Sequence, residues 1–207
     1  MGVKFRVDYF WMHNNFYKMK YAIIVQDNRV NGKELITFAE KQLTFLPEGW
    51  DSFVDNTTPI HSLHDYNKLM TSKEFWLKLE EFDRVLICQT DAQILRTGIE
   101  SFLVWDYVGS PWKFQEHGGN GGFSLRNPKA MLECIKNSPY EGAGVHGHED
   151  VYFSNQLRWS ERYKLAPRNI CEIFSCEAIF KLDTFGYHAI EKYLTFEECH
   201  KIKTQYK

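Results

Sequence analysis

The sequence lacks an excess of basic charge and a long apolar run, and both absences limit what the chain can be. Its 207 residues carry 25 Lys and Arg against 27 Asp and Glu, which gives a net charge of −2. General nucleic-acid binders are usually strongly basic, so a nucleic-acid partner is not expected. The longest apolar run near the start, residues 21–25, is far too short to span a bilayer. No integral membrane segment is therefore predicted.

The N-terminus lacks the marks of export and lipid attachment. The first ten residues, MGVKFRVDYF, contain no apolar stretch of a signal peptide, and Arg6 stands where a myristoylation signal has Ser or Thr. The five cysteines form no CxxC pair, and disulfide frameworks are typical of short secreted chains. We therefore expect reduced thiols and a cytoplasmic protein, with a disulfide framework as the alternative.

Three motifs of common enzyme classes are also missing, and the glycine-rich stretch does not supply a fourth. The phosphate-loop pattern GxxxxGK[ST] is absent, and the glycine-rich stretch at 118–122 does not match GxGxxG. The hydrolase signatures GxSxG and HExxH are absent as well. Candidate chemistry has to be sought in residues that are scattered along the chain.

What is present is a regular alternation of strand and helix patterns in the first half. The hydrophobic fraction of 43% over 207 residues suits one packed domain. The predicted order is a strand at 21–25, a helix at 32–46, a strand at 50–56, a helix at 65–82 broken at 71–72, and a strand centred on 85–88. This alternation predicts an α/β fold with a parallel, right-handed sheet.

The second half mixes shorter elements. They are predicted as a turn-rich segment at 106–112, a strand at 121–127, a helix at 128–137, a helix from about 149, and strands at 162–167 and 172–180. We expect one domain over residues 1–207, whose nucleotide-binding half at about 20–105 precedes a half at about 106–195 that builds the second wall. A mixed, mostly parallel central sheet flanked by helices is the predicted architecture.

Two side chains are candidates for a cation site. Asp91 follows the strand at 85–88, and ligands of open α/β sheets bind beyond the carboxyl ends of the strands. A carboxylate there can coordinate a hard divalent cation that also bridges two phosphates. The alternative for Asp91 is a polar turn that caps the strand. His188 is either a structural histidine or a further ligand, should the cleft hold a metal.

The stretch GGNGGFSLR at 118–126 concentrates glycines immediately before a predicted strand. Glycine supplies no side chain to pack and costs conformational entropy on folding. One interpretation is a flexible hairpin tip. The other is a strand whose backbone must let a bulky ligand approach closely, so that the missing side chains leave room for substrate.

The stretch HGHEDV at 146–151 places two acids where a helix is predicted to begin. Glu149 and Asp150 stabilise the helix dipole in the plainest interpretation. The sharper hypothesis makes Asp150 a general base that points into the cleft. His146 and His148 alternate, but no third zinc ligand is evident nearby, so a zinc site is the weakest of the three hypotheses.

These pieces occur in an order that resembles the GT-A-fold glycosyltransferases, which use nucleotide-sugar donors. More narrowly, the segments VLICQTD, FLVWDYVGSPW, GNGGFSLRN, EDVYFSNQL, FSCE and FGYHAI look like an incompletely characterised glycosyltransferase-like family of cellular organisms and large DNA viruses. The resemblance covers about residues 20–195. It implies a GT-A-like, Rossmann-like fold, in which the half at about 106–195 holds the acceptor and the catalytic residues.

For a cation, the resemblance implies Mn²⁺ or Mg²⁺. Asp91 would be the acid that binds metal and diphosphate in the Asp-x-Asp element. Gln93 occupies the second acid's place, a departure that puts metal affinity in doubt. His188 matches the late histidine that supplies a further metal ligand.

For the substrates, the resemblance implies a base and two binding regions. Asp150 matches the catalytic base of inverting members, with Glu149 as the alternative. The remaining implied positions contact donor or acceptor: Asn120, Gly121 and Gly122 in the glycine loop, and residues 26–29, with Gln26 and Arg29, near the nucleoside. Independently of the resemblance, Trp112, Trp105 and Tyr107 are candidates for stacking on sugar faces. Core packing is the alternative for each of these aromatic residues.

The resulting hypothesis is metal-assisted, inverting transfer of a sugar from a nucleoside-diphosphate sugar to a hydroxyl of a glycan or protein acceptor. Two alternatives stay open. One is a nucleotide-sugar or glycan-binding protein on the same fold that has lost catalysis, for which Gln93 is the support. The other is a nucleotidyltransferase, which would normally have a second metal-binding carboxylate and a basic, glycine-rich loop near the N-terminus.

Overall fold

A mixed sheet of five strands forms the centre of the protein in the computed structural model, which describes residues 19–142 and 147–206. A second sheet of three short strands contacts it. The strands are β1 (Tyr21–Gln26), β2 (Trp50–Asp55), β3 (Arg84–Cys88), β4 (Ala92–Ile94), β5 (Tyr107–Ser110), β6 (Asn120–Arg126), β7 (Ser175–Cys176) and β8 (Gly186–His188). The first ten residues, on which the targeting expectations rest, lie outside the described ranges. His146, named in the zinc hypothesis, lies outside them as well.

The five strands follow the order β2-β1-β3-β6-β5. β1 pairs in parallel with both β2 and β3, which confirms the arrangement predicted for the first half. β6 is antiparallel to both β3 and β5. The pairing with β5 follows from the loop at 111–119 that joins the two strands, because such connections link antiparallel neighbours. The sheet is mixed as predicted, but parallel and antiparallel pairings are equal in number among the described strands rather than mostly parallel.

The helices begin where the sequence supplies capping side chains. Asn31, Ser62 and Ser72 each accept a backbone N–H of the first turn that follows. The predicted break at 71–72 is confirmed, because Thr71 ends one helix and Ser72 caps the next. The helices are α1 (Gly32–Leu43), α2 (Leu63–Met70), α3 (Lys73–Leu77), α4 (Pro128–Asn137), α5 (Glu149–Leu157), α6 (Arg168–Phe174) and α7 (Phe196–Thr204), with short 3₁₀ helices at Ile99–Phe102 and Ile190–Lys192.

The central strands β1 and β3 are buried on both faces. Ile23 and Leu86 belong to one hydrophobic cluster, while Ile24, Ile87 and Phe153 of α5 belong to a second cluster. Alternate residues of a strand point to opposite faces, so each strand reads as a continuous apolar run. Polar side chains therefore first appear where these two strands end, and that edge of the sheet positions the site described below.

The three-stranded sheet carries the late part of the chain back to the end of β3. β8 lies between β4 and β7, antiparallel to β4 and parallel to β7. Ala92 pairs with His188, and the N–H of Ala189 donates to the carbonyl oxygen of Asp91 at 3.0 Å. This pairing brings residues about a hundred positions apart in sequence into contact.

Three local predictions are wrong. The segment 106–112 contains strand β5, which is buried throughout, rather than only turns. The segment 162–167 is not a strand but makes a single bridge, from Leu165 to Tyr107. In 172–180 only β7 is a strand. Residues 172–174 instead form the end of helix α6, which begins directly after Pro167. A short apolar run does not distinguish a strand from a buried helix segment.

Across the described ranges, no helix is both long and apolar enough to cross a membrane.

Candidate functional site

A cleft of about 540 Å³ opens where β1 and β3 end and where β6 and α5 begin. Its size suits a small-molecule ligand. Most of the residues singled out in the sequence line it: Gln26, Arg29, Asp91, Asn120, Gly121, Gly122, Glu149, Asp150 and His188. Gln93 and Trp112 do not. The fold thus gathers the ends of several distant segments into one cavity.

His188 lies at the floor of the cleft with hydrogen-bond acceptors at both ring nitrogens. Its Nε2 is 3.2 Å from Oδ1 of Asp91 and 3.1 Å from Oε1 of Gln89, and its Nδ1 is 3.2 Å from Oε1 of Glu177. Burial alone would lower the pKa of His188, but the hydrogen bonds to Asp91 and Glu177 outweigh it and raise that pKa to about 9. An imidazole surrounded by acceptors in this way suits a positive charge at the Nε2 position, whether from a proton or from a cation.

Both oxygens of Asp91 already face positive groups. Oδ1 faces His188, and Oδ2 lies 3.0 Å from Nζ of Lys192. The hydrogen bond with His188, followed by the one with Lys192, holds the pKa of Asp91 well below its usual range against the opposing effect of burial. Asp91 is therefore a carboxylate at neutral pH, as a cation ligand must be.

Gln89, and not Gln93, stands beside Asp91 in the cleft. Gln93 lies in β4, where it pairs with Tyr187 of β8, and its side chain accepts a 3.4 Å hydrogen bond from the Tyr187 hydroxyl. Gln89 is two residues before Asp91 and lines the cavity. Gln93 does not line the cleft, so its assignment to the second metal position has no geometric support. Gln89 is the residue beside Asp91 that the sequence interpretation did not name.

The two glycines Gly121 and Gly122 make room for polar side chains of the cleft itself. A Cβ atom on Gly121 would overlap the Glu149 carboxylate and the Arg126 guanidinium. A Cβ atom on Gly122 would overlap the imidazole of His188 and the amide oxygen of Gln89. The interpretation that the missing side chains leave room for substrate is therefore incomplete, since protein groups already occupy the nearest space.

Glu149 is held in a buried ion pair. Its two carboxylate oxygens accept hydrogen bonds of 2.6 and 2.8 Å from Nη1 and Nη2 of Arg126, and both side chains are almost fully buried. Arg126 also donates to Oγ of Ser124 and lies 4.9 Å from the ring centre of Tyr107. The ion pair with Arg126 thus engages both carboxylate oxygens of Glu149. Glu149 anchors the start of α5.

Asp150 is buried at the edge of the cleft, and among the described residues it forms no ion pair. Oδ2 accepts the N–H of Gly121 at 3.1 Å, and Oδ1 accepts the N–H of Val151 at 2.8 Å. Burial, followed by the charge of Glu149, raises the pKa of Asp150 to about 7, although Arg126 and the two N–H groups oppose the shift. A carboxylate with a pKa near neutrality is well matched to general-base catalysis.

The far end of the cleft, after β1, is organised by a second ion pair. Asp27 is buried, and its carboxylate accepts hydrogen bonds from Nε and Nη2 of Arg29, both at 2.8 Å, and from the Thr90 hydroxyl at 2.6 Å. The pKa of Asp27 is lowered to about 2, chiefly by Arg29. Gln26 donates to Oδ2 of Asp55 at 3.1 Å. The sequence interpretation placed the nucleoside at residues 26–29, a range that includes Asp27, the carboxylate that fixes the arginine.

The aromatic candidates are placed mainly in the packed interior. Trp112 is nearly buried and stacks on Phe114 with ring centres 5.2 Å apart. Tyr107 is fully buried, and Trp105 packs against the first hydrophobic cluster. Core packing, the alternative given for these residues, agrees with these positions. Asn120 lines the cleft, and its Oδ1 accepts the N–H of Gly122 at 2.8 Å.

The donors around His188 fit a divalent cation only if a ligand completes the site. Within the described ranges, no group of three or more His, Cys, Asp or Glu side chains is placed to hold a metal ion. Asp91 and His188 supply two donor atoms and the Gln89 amide oxygen a third, close around the same imidazole nitrogen. Mg²⁺ is usually held by one or two carboxylates together with substrate phosphates, so this set suits a cation that arrives with a diphosphate. His148 lines the cleft, whereas its partner in the zinc hypothesis, His146, is not described.

One protein-family model matches the chain over residues 48–188 and carries the description "Protein of unknown function (DUF5672)". The matched range runs from before β2 to the end of β8 and includes Asp91, Asp150 and His188. A search among curated proteins finds no match.

Among solved structures, the chain is similar to a protein described as "a glycosyltransferase involved in the glycosylation of the major capsid of PBCV-1". The TM-score is 0.55 at 13% sequence identity, over 82% of this chain and 94% of that one. A second match is A197 from STIV, with a TM-score of 0.39 at 13% identity over 65% of this chain and 76% of that one. At such identity the first match demonstrates a shared α/β fold and nothing further.

Proposed function

The chain belongs to the family described as "Protein of unknown function (DUF5672)", a membership that brings no activity with it, and we propose from its cleft that it is a glycosyltransferase. The reaction is transfer of a sugar from a nucleoside-diphosphate sugar to the hydroxyl of a glycan or protein acceptor. The fold shared with the PBCV-1 glycosyltransferase makes this class of reaction the natural one to test, while the residues of the cleft carry the proposal.

The observation that carries it is the pair of unlike sites on the two neighbouring glycines of β6. Asp150 accepts a hydrogen bond from the N–H of Gly121, and the group around His188 and Asp91 is packed against Gly122. The proposed proton acceptor and the proposed cation-binding group thus line the same cavity, and they contact adjacent residues of β6. Sugar transfer needs this combination, because one substrate loses a proton while the other releases a diphosphate.

In the proposed reaction, the oxygen of the acceptor hydroxyl attacks the anomeric carbon of the donor and forms the new glycosidic bond. The bond from that carbon to the diphosphate oxygen breaks, and its electron pair leaves with the diphosphate. Asp150 takes the proton of the acceptor hydroxyl as a general base, and it does so only as a carboxylate. Attack opposite the leaving group inverts the configuration at the anomeric carbon.

At the other end, Asp91, Gln89 and His188 would hold Mn²⁺ or Mg²⁺ together with the diphosphate. When bound, such a cation neutralises charge on the leaving group. Glu177 keeps the His188 ring in place through Nδ1, and Lys192 adds a positive charge 3.0 Å from Asp91. Arg29, which is held by Asp27 and lines the cleft, would contact the nucleoside end of the donor.

The test is a thermal-shift screen of the full chain with a panel of nucleoside-diphosphate sugars, each with and without Mn²⁺. A ligand at one hundred times its dissociation constant adds about 2.7 kcal/mol of stability, or roughly 5–10 °C in melting temperature for a chain of this size. Asp91→Asn is expected to lose the Mn²⁺-dependent part of the shift, because it removes the one carboxylate among the three ligands.

Asp51→Asn, which alters an exposed aspartate of β2, is the matched control and should shift as the wild type does. The proposal fails if no sugar nucleotide stabilises the wild-type chain. The cation assignment fails if Asp91→Asn keeps the full Mn²⁺-dependent shift.

A binding protein on the same scaffold is the second candidate function, and Gln89 is the observation that favours it. An amide there in place of a second carboxylate weakens a cation site. Lys192 also competes with a cation for the one carboxylate that is left, that of Asp91. Tight binding of a sugar nucleotide without any transfer or hydrolysis would favour this candidate over the enzyme.

A further inference from the structure

Helix α5, which carries Glu149 and Asp150, begins without a capping side chain of its own. His148 stands at the capping position, but its side chain makes no capping hydrogen bond. The first N–H groups of a helix have no acceptor within that helix, so they need one from outside. Helices α1, α2 and α3 use the Asn or Ser directly before them. The start of α5 is instead held by a residue 82 positions before Glu149.

Asn67 of α2 supplies this hold through both ends of its side-chain amide. Its Oδ1 accepts the N–H of Glu149 at 3.2 Å, and its Nδ2 donates to the carbonyl oxygen of Gly147 at 2.8 Å. The hydroxyl of Tyr140 lies beside this amide and donates to the same carbonyl oxygen at 2.7 Å. One amide therefore holds the backbone on both sides of His148, and only a side chain with a donor and an acceptor in this arrangement can do so.

Asn67 is itself fixed by its surroundings. It lines the cleft but is almost fully buried, and its carbonyl oxygen accepts both the N–H of Thr71, at 3.0 Å, and the Thr71 hydroxyl, at 2.7 Å. Trp76 of α3 donates its indole N–H to the carbonyl oxygen of Met70, at the end of α2. The Trp76 ring also lies edge-on to Phe153 of α5, with the ring centres 6.1 Å apart. Asn67 therefore reaches the start of α5 from a helix that is packed against α5.

Separate contacts hold different parts of the start of α5. Arg126 binds the side chain of Glu149, and the N–H of Gly121 binds the carboxylate of Asp150. Asn67 binds the backbone. The direction in which the Asp150 carboxylate points depends on that backbone, because Asp150 directly follows Glu149. A misplacement of about 1 Å in a reacting group can lower a reaction rate about a hundredfold, so this backbone contact bears on the proposed chemistry.

We propose that Asn67 is a positioning residue for the transfer, because it holds the backbone at the start of α5 so that the Asp150 carboxylate faces the acceptor hydroxyl. The inference rests on the proposed function, in which Asp150 is the general base. Among the described residues, the hydrogen-bond partners of Asn67 belong to α2, to Tyr140 and to the start of α5, whereas the cation-binding group contacts Gly122 of β6. Loss of the Asn67 amide should therefore lower the rate of transfer and leave donor binding unchanged.

The test uses Asn67→Leu, which has nearly the same size but neither donor nor acceptor. With a sugar nucleotide labelled in the sugar at saturating concentration, we expect the rate of transfer to fall about tenfold or more. The affinity for that sugar nucleotide, measured by calorimetry, should match that of the wild type. Hydrogen exchange of the Glu149 amide should become faster, because that N–H has lost its acceptor. Asn67→Ser, whose short hydroxyl cannot bridge both partners, should give the same pattern and replaces Asn67→Leu if the latter does not fold.

Tyr152→Phe is the matched control, because it removes a hydrogen bond of the same helix, 2.6 Å from the Tyr152 hydroxyl to the carbonyl oxygen of Ser138, that involves neither Asn67 nor its partners. That variant should lose stability and keep both the rate and the donor affinity. The assignment is overturned if Asn67→Leu transfers sugar as fast as the wild type, if its Glu149 amide exchanges as slowly, or if its donor affinity falls as much as its rate. If the wild type itself transfers no sugar, the proposed function fails, and the role of Asn67 fails with it.

Discussion

Asp150 and Glu149 are neighbours in the sequence, but the fold gives their carboxylates different chemistry. Glu149 is held on both oxygens by Arg126 in the interior. Asp150 receives only backbone N–H groups, so burial and the nearby charge of Glu149 raise its pKa to about 7. Of the two acids named in the sequence, Asp150 alone has the surroundings of a general base, and this difference depends on an arginine 24 positions earlier in the chain.

The raised pKa of Asp150 predicts a specific pH dependence of stability. Folding favours the protonated carboxyl, so its contribution is fully present below the pKa of the unfolded chain and is lost as the pH rises through about 7. Relative to Asp150→Asn, the wild-type chain should lose on the order of 3 kcal/mol of unfolding free energy between pH 5 and pH 8. Urea titrations of both proteins across this range measure the difference, and parallel pH profiles would show that the pKa of Asp150 is not raised.

At the scale of single residues, the sequence indicated most of the cleft but not its pairings. Asp91, His188, Asp150 and the glycines stood out through their positions relative to strands and helices. Gln89 could have been found, because it shares the end of β3 with Asp91, whereas Gln93 belongs to the next strand. Arg126 and Glu177 carried no local signal, since their contacts with Glu149 and His188 join distant segments.

At the scale of elements, strand β6 organises the site through two consecutive glycines. Gly121 faces the Arg126–Glu149 ion pair that anchors α5, and Gly122 faces the group around His188 that β8 brings in. The start of β6 therefore sets the distance between Asp150, the proposed general base, and the proposed cation-binding group around His188.

The two glycines should respond differently to the same substitution. Gly121→Ala forces Glu149 and Arg126 apart, and breaking a buried ion pair costs on the order of 3–5 kcal/mol, so this variant should unfold at lower urea concentration. Gly122→Ala displaces His188 and Gln89 at the cleft wall, so it should lose at least tenfold in Mn²⁺-dependent nucleotide affinity with a smaller loss of stability. Urea titration and calorimetry on both variants test this. Identical effects of the two substitutions on stability and on nucleotide affinity would refute the separate roles assigned to Gly121 and Gly122.

The elements themselves were predictable to different degrees. β1 and β3 are apolar runs, and α1 has an apolar face and the capping residue Asn31, so the order of these elements and the parallel pairing could be read from the sequence. The short strands β4, β7 and β8 have too few residues to show a period. They exist because they pair with one another, and no local pattern predicts such pairing.

At the scale of the whole molecule, the polar ends of β1 and β3 meet the starts of β6 and α5 in one cleft. The α/β fold and the parallel pairing of the first three strands were predictable from the alternation in the first half. The equal share of antiparallel pairs was not, because it depends on how the second half folds back along β3. The cleft lies at the carboxyl ends of the parallel strands, where open α/β sheets bind their ligands.

The most direct test of sugar transfer is to incubate the full chain with the sugar nucleotide that stabilises it, labelled in the sugar, together with Mn²⁺ and mixed glycan and protein acceptors. We predict release of the nucleoside diphosphate in step with transfer of the label to an acceptor. Asp150→Asn should bind the donor as the wild type does, yet transfer label at least a hundredfold more slowly. Full transfer by Asp150→Asn, or donor binding by the wild type without any release of diphosphate, would contradict the proposed function.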